Sequence, residues 1–96
     1  MRGKEVEAES ARRIWAVLVE ECGADDDERH REDFVRCAVH VTWIEYRFCG
    51  SLGFGGKVWN NHGFYVSCYG EDNTPEREAA IRRANDRLAA IYAGAQ

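Results

Sequence analysis

The segment from Trp43 to Tyr69, WIEYRFCGSLGFGGKVWNNHGFYVSCY, most constrains how this chain can fold. It contains eight of the eleven aromatic residues in the protein. Aromatic and β-branched residues that stand between glycine and asparagine turns are typical of short antiparallel strands. We therefore predict a strand from about Trp43 to Cys49, a glycine-rich connection, a short KVW strand, a tight turn at 60–63 and a third strand at 64–69.

Alternation within these strands predicts a sheet with one buried face. Ile44, Tyr46 and Phe48 alternate with polar positions in the first strand. Phe64, Val66 and Cys68 alternate with Tyr65, Ser67 and Tyr69 in the last. Successive side chains of a strand point to opposite faces, so each set shares one face.

Helices are predicted on both sides of this segment. An apolar stripe predicts a first helix from Lys4 to Cys22, which Gly23 ends. Asp26 or Asp27 is the expected cap of a second helix that reaches about Val39. The sequence TPERE predicts a third helix, capped by Thr74, begun by Pro75 and ended by Gly94 after about Ala93. The prediction is a single α+β domain over residues 1–96, in the order α-α-β-β-β-α, with the N-terminal and C-terminal helices packed on a three-stranded antiparallel sheet.

Size and composition narrow the class of protein. Ninety-six residues make one domain, and no run of about 18 apolar residues predicts a membrane span. The start, MRGKEVEAES, has no apolar core of a secretory signal, so the cytoplasm is the expected location. The four cysteines (Cys22, Cys37, Cys49 and Cys68) form no C-x-x-C pair and lie in apolar stretches, which favours buried thiols over a disulfide or a metal site.

Negative charge is concentrated between Glu20 and Asp33, which contain eight acids and two arginines, while the whole chain has a net charge of −4. This distribution argues against binding to nucleic acid, which needs a basic stripe. It favours electrostatic attraction to a protein rich in lysine and arginine. The candidate contacts are Asp25, Asp26, Asp27 and Glu28. The alternative is a solvated helix start, and the spacing of a calcium loop is absent.

A second set of candidate partner contacts comes from the strands, namely Lys57, Trp59, Tyr65 and Tyr69. Tyrosine and tryptophan supply much of the binding energy at protein interfaces. We expect these aromatic residues on the sheet face away from the helices. The alternative, that the N-terminal helices cover this face and make it core, stays open.

Signatures of catalysis and of cofactor binding are weak. GSLGFGGKV resembles a phosphate-binding loop, but Ser51 replaces its first glycine and Val58 its hydroxyl residue. Asp33, Cys37 and His40 stand on one predicted helix, where three groups rarely converge on one substrate atom. We therefore predict no catalytic residue, metal or cofactor. The competing hypothesis is a small-ligand or enzymatic site at the glycine-rich connection, with Lys57 and His62 beside it.

Two resemblances remain. The order α-β-β-β-α after Glu28 resembles a double-stranded-RNA-binding domain, but its last helix begins TPEREAAI rather than with basic residues, so RNA binding is not expected.

The string LGFGGKVW…YVSCYGEDNTPERE, with the alanine-rich helix after it, resembles small phage and prophage proteins over about residues 46–88. In its size, its acidity and its lack of catalytic residues, the chain also resembles the anti-CRISPR class of phage proteins, which implies a cytoplasmic, non-enzymatic inhibitor that binds a bacterial nuclease complex. A homodimer through the sheet is a further alternative.

Overall fold

The computed structural model describes residues 4–40, 44–49, 55–60, 64–69 and 74–95, with side chains over 8–39, 45–48, 56–59, 64–68 and 74–91. Its elements, in chain order, are α1 (Lys4–Cys22), α2 (Glu28–His40), β1 (Ile44–Cys49), β2 (Gly55–Asn60), β3 (Phe64–Tyr69) and α3 (Pro75–Ala95). The predicted order α-α-β-β-β-α and the α+β class are confirmed.

Residues next to the helices set where α1 ends and where α2 begins. Gly23 has a φ of 68°, a left-handed conformation that favours glycine, and its N–H donates to the Val19 carbonyl at 3.1 Å. Asp27 caps α2, since its Oδ1 accepts a hydrogen bond from the His30 N–H at 2.8 Å. Of the two caps that the sequence left open, the structure therefore uses Asp27.

The start of α3 agrees with its prediction, and its end does not. Thr74 Oγ1 accepts a hydrogen bond from the Arg77 N–H at 3.2 Å, and Pro75 is the first helical residue. The prediction that Gly94 ends the helix is wrong, because α3 continues to Ala95. Glycine ends a helix where the backbone turns left-handed, and among the described glycines only Gly23 has a positive φ.

The three strands form an antiparallel meander in the order β1-β2-β3. Tyr46 is opposite Val58, and Val58 is opposite Val66. β2 begins at Gly55, so the prediction that Gly55 and Gly56 belong to the connection is wrong. Gly56 is opposite Phe48, and a Cβ on Gly56 would lie 2.8 Å from Cε1 of the Phe48 ring. The strand includes Gly56 because the ring fills the space that a side chain would need.

The described helices and one sheet face enclose a single core. α1 packs against α2 and α3, α3 lies against β3, and α2 contacts β1. Buried core residues from the helices include Ile14, Leu18, Phe34 and Leu88, and those from the sheet are Phe48, Val58 and Val66. Tyr46, Phe64 and Cys68 pack against this core, as the alternation predicted.

A side chain of α3 closes the edge of the sheet at β3. Asn85 Oδ1 accepts a hydrogen bond from the Val66 N–H at 2.5 Å, and its Nδ2 donates to the Val66 carbonyl at 3.0 Å. The amide therefore replaces a neighbouring strand at the middle of β3. Such covering blunts the tendency of an edge strand to pair with another chain.

Among the described residues, no helix is long and apolar enough to cross a membrane. Cys22, Cys37 and Cys68 carry thiols, and the Cys49 side chain lies outside the described part of the chain. Cys22 is buried, as predicted, whereas Cys37 and Cys68 are only partly buried.

Candidate partner-binding surface

The sheet presents a second face that points away from the core. We define the outer sheet face by Glu45, Arg47, Lys57, Trp59, Tyr65 and Ser67, the described side chains that alternate with the core set. The register places Glu45 opposite Trp59 and Trp59 opposite Tyr65. None of these six residues belongs to the core that the described helices cover.

Trp59 and Tyr65 form the aromatic centre of the outer sheet face. Their rings are stacked, with 6.3 Å between centroids and 15° between planes. Tyr65 is 49% exposed, and it is the large apolar side chain that the described structure leaves most open to solvent. Trp59 Nε1 donates a hydrogen bond to Ser67 Oγ at 3.3 Å, which fixes the indole across the strand pair. The pair is an ordered, partly exposed aromatic surface.

Charged groups border this aromatic pair. Lys57 Nζ lies 5.9 Å from the centroid of the Trp59 ring, within the range of a cation–π contact. The Glu45 carboxylate accepts from Arg47 Nε at 2.8 Å and lies 3.7 Å from Lys57 Nζ. The hydrogen bond from Arg47 and the charge of Lys57 lower the pKa of Glu45 below its ordinary value. Two cations and one carboxylate thus border the stacked rings.

Part of the predicted negative charge is neutralised by arginines. Glu21 accepts from Arg83 Nε at 3.0 Å, and Glu20 accepts from Arg87 Nη1 at 2.8 Å. Glu32 Oε2 lies 3.6 Å from Arg12 Nη2, and Asp33 Oδ1 pairs with Arg36 Nη2. The remaining acids of the segment are Asp25, Asp26, Asp27 and Glu28, which we call the acidic loop. All four are exposed.

Two residues of the acidic loop also support the fold. Asp26 Oδ1 accepts a hydrogen bond from Trp15 Nε1 at 3.3 Å, which satisfies the buried indole. Asp27 caps α2 and places its Oδ2 3.0 Å from His30 Nδ1. Asp25 and Glu28 are therefore the positions where a charge change tests partner attraction with the least effect on folding.

The acidic loop and the outer sheet face meet at β1. A cavity between them is lined by both Asp25 and Arg47. Arg47 therefore borders the acidic loop on one side and belongs to the outer sheet face on the other. Of the predicted contact residues, Lys57, Trp59 and Tyr65 lie together on the outer sheet face, and Asp25 lines the cavity beside Arg47.

The remaining candidates fall partly outside the described chain. The structure does not describe the side chain of Tyr69, nor His62, nor the connection at 50–54. The ligand site predicted at the glycine-rich connection therefore lies outside the described residues. Asp33, from the considered catalytic set, accepts a hydrogen bond from the Tyr46 hydroxyl at 3.3 Å, and the His40 side chain is not described. Within the described ranges, no three histidine, cysteine or acidic side chains converge as metal ligands.

Sequence reasoning missed three members of the outer sheet face, namely Glu45, Arg47 and Ser67. Their alternation in β1 and β3 was visible, but it gave only two possible faces for each strand. The register joins them to Trp59 and Tyr65. The available signal was the single predicted buried face: the positions of β1 and β3 that alternate with the apolar set share the opposite face with Tyr65.

Comparison of the chain with protein families, with curated proteins and with solved structures gave no match.

Proposed function

We propose that this protein is a non-enzymatic protein-binding module whose contact surface is the outer sheet face. The observation that carries the proposal is the stacked pair of Trp59 and Tyr65 on a face that no described helix covers. Aromatic residues that are already ordered lose little conformational entropy when a partner covers them. They also bury much apolar area per side chain.

The acidic loop supports the same proposal in a different role. Exposed charges at the rim of an interface act mainly on the rate of association and on the choice of partner. The arginine pairs of Glu20, Glu21, Glu32 and Asp33 leave the acidic loop as the main source of unpaired negative charge in its segment. A partner with a basic surface next to an apolar patch fits both features.

A more specific form of the proposal makes the protein a phage-encoded inhibitor of the anti-CRISPR type. In this form the module acts in the cytoplasm of a bacterial host and covers a basic nucleic-acid-binding surface of a nuclease complex. Its support is the resemblance of residues 46–88 to phage and prophage proteins, together with the exposed acids of the loop. It implies that Asp25 and Glu28 face the lysines and arginines that normally hold nucleic acid.

The test is partner capture by a variant that lacks the aromatic pair. Tagged wild-type protein and the double variant Trp59→Thr/Tyr65→Thr are incubated with bacterial lysate, because threonine keeps the β propensity of the strands. Arg82→Ala/Asp86→Ala, at exposed positions of α3, is the matched control. We expect the wild type and the control to retain a stoichiometric partner that the aromatic variant loses. Circular dichroism verifies that each variant is folded.

Capture of the same partner by the folded aromatic variant would refute the proposed contact surface. Asp25→Lys/Glu28→Lys then tests the electrostatic part, with slower association and a weaker dependence on salt as the expected result. Sedimentation of the purified protein shows whether the outer sheet face instead binds a second copy, in which case the aromatic variant is monomeric and the wild type is not.

A further inference from the structure

A cavity lies where α1, the acidic loop, α2 and β1 meet. Its volume is about 230 Å³, and its walls are Trp15, Asp25, His30, Tyr46, Arg47 and Phe48. Pockets for drug-sized ligands usually measure roughly 300–1,000 Å³. The cavity therefore has a size suited to one amino-acid side chain rather than to a large cofactor.

Aromatic rings form half of its lining, and carboxylates hold two of the three rings in place. The rings of Trp15 and Tyr46 are nearly perpendicular, at 88°, with 6.3 Å between centroids. Trp15 Nε1 donates to Asp26 at 3.3 Å, and the Tyr46 hydroxyl donates to Asp33 at 3.3 Å. The indole N–H of Trp15 and the hydroxyl of Tyr46 are thus both hydrogen-bonded, so the two rings are held in position before any ligand binds.

The charges around the cavity are mainly negative. Asp25 lines it directly, and Asp26 and Asp27 each contact one of its wall residues, whereas Asp33, which accepts from Tyr46, is paired with Arg36. The cation in the lining, Arg47, donates its Nε at 2.8 Å to Glu45 on the outer sheet face, a carboxylate that it shares with Lys57. Perpendicular aromatic walls with carboxylates beside them attract organic cations.

We propose that this cavity takes an arginine side chain from a protein partner. A planar guanidinium stacks on aromatic rings and donates two parallel hydrogen bonds to a carboxylate, here that of Asp25. The source of the arginine rests on the proposed protein-binding function, whereas the affinity of the cavity for a guanidinium does not. The cavity adds a specific polar anchor beside the apolar contact of Trp59 and Tyr65.

The test uses N-acetyl-arginine N-methylamide as the probe and nuclear magnetic resonance as the assay. The reporter is the indole N–H signal of Trp15, identified by removing the other two indole signals with Trp43→Phe and Trp59→Phe. We expect a saturable shift of this signal with affinity in the millimolar range. The citrulline analogue, which has the same shape without the charge, should cause no shift, and the lysine analogue should bind more weakly.

Asp25→Asn is the matched variant, because it removes the charge and keeps the shape of an exposed side chain. Loss of one charge-assisted contact should weaken binding of the arginine probe about tenfold. An unchanged affinity in Asp25→Asn, an equal response to the citrulline or lysine analogue, or no shift of the Trp15 signal would each overturn the proposal.

The same titration separates this inference from the proposed function. Trp59→Thr/Tyr65→Thr alters the outer sheet face and leaves all six wall residues in place, so it should bind the arginine probe like the wild type. If that variant binds the probe and still captures the lysate partner, the proposed contact surface fails while the arginine site stands. If wild-type protein captures a partner through Trp59 and Tyr65 but does not bind the probe, only the arginine site fails.

Discussion

Substitution of Gly56 by alanine tests the close packing of β1 against β2. The new Cβ would lie 2.8 Å from Cε1 and 3.1 Å from Cε2 of the Phe48 ring, and the ring is only 4% exposed. Extra volume in a packed core usually costs about 1–3 kcal/mol. Alanine recovers about 0.5–1 kcal/mol in a strand, because the unfolded glycine has more conformational freedom. The difference between the two ranges is about 0–2.5 kcal/mol, and because the new Cβ would come within 3.0 Å of both Cζ and Cε1 of a buried ring, we expect Gly56→Ala to destabilise the protein by about 1–2 kcal/mol.

A double-mutant cycle identifies the ring as the cause. Phe48→Leu destabilises the protein by itself, since it removes buried apolar volume. In that background the alanine no longer meets the ring, and Gly56→Ala should become neutral or slightly stabilising. The expected coupling between the two sites is about 1–2 kcal/mol. Urea unfolding of the four proteins, followed by circular dichroism, gives each free energy of unfolding. Equal effects of Gly56→Ala in both backgrounds would refute the reasoning.

Two further predictions concern the β3 edge and a buried thiol. Asn85→Ala removes both hydrogen-bond partners of the Val66 backbone and should lower the free energy of unfolding by about 2 kcal/mol. The control, Asp86→Ala at the exposed neighbouring position, should change the free energy of unfolding little. Equal effects of the two substitutions would contradict the role of Asn85 at the sheet edge. Burial raises the pKa of the Cys22 thiol from 9.0 to about 11. As the pH rises, the thiol therefore ionises in the unfolded chain before it does so in the folded protein. The contribution of the neutral buried thiol to the free energy of unfolding is fully present below pH 9 and decreases above it. Between pH 8 and 10 the wild type should lose about 1.4 kcal/mol more than Cys22→Ala, and parallel pH profiles would contradict this assignment.

Local sequence predicted the identity and order of all six elements. Thr74, Asp27 and Gly23 act within a few residues of their own position, so the boundaries that they set are encoded in short stretches of chain. Alternation in β1 and β3 likewise predicted which side chains share a face. The error at Gly56 has the opposite origin, because this glycine is in a strand where the ring of Phe48, from the neighbouring strand, fills the space of a side chain.

The candidate site could be predicted only in part. Trp59, Tyr65 and Lys57 were identified by residue type, and the structure places them together. Arg47, Glu45 and Ser67 were missed because their residue types alone do not indicate a contact surface, although alternation placed them opposite the apolar set of their strands. The acidic loop was recognised as a charge pattern, but its relation to β1 depends on how α1 and α2 pack.

The sequence by itself determined the helices, the strands and the residues able to form a core, because capping, helical periodicity and strand alternation act over short distances. Tertiary structure decided that the described helices pack on one sheet face and leave Trp59 and Tyr65 on the other. It also paired Glu21 with Arg83, 62 residues away, and Val66 with Asn85. These contacts join segments that are remote in the chain, and they form only when the core brings α1, α3 and the sheet together.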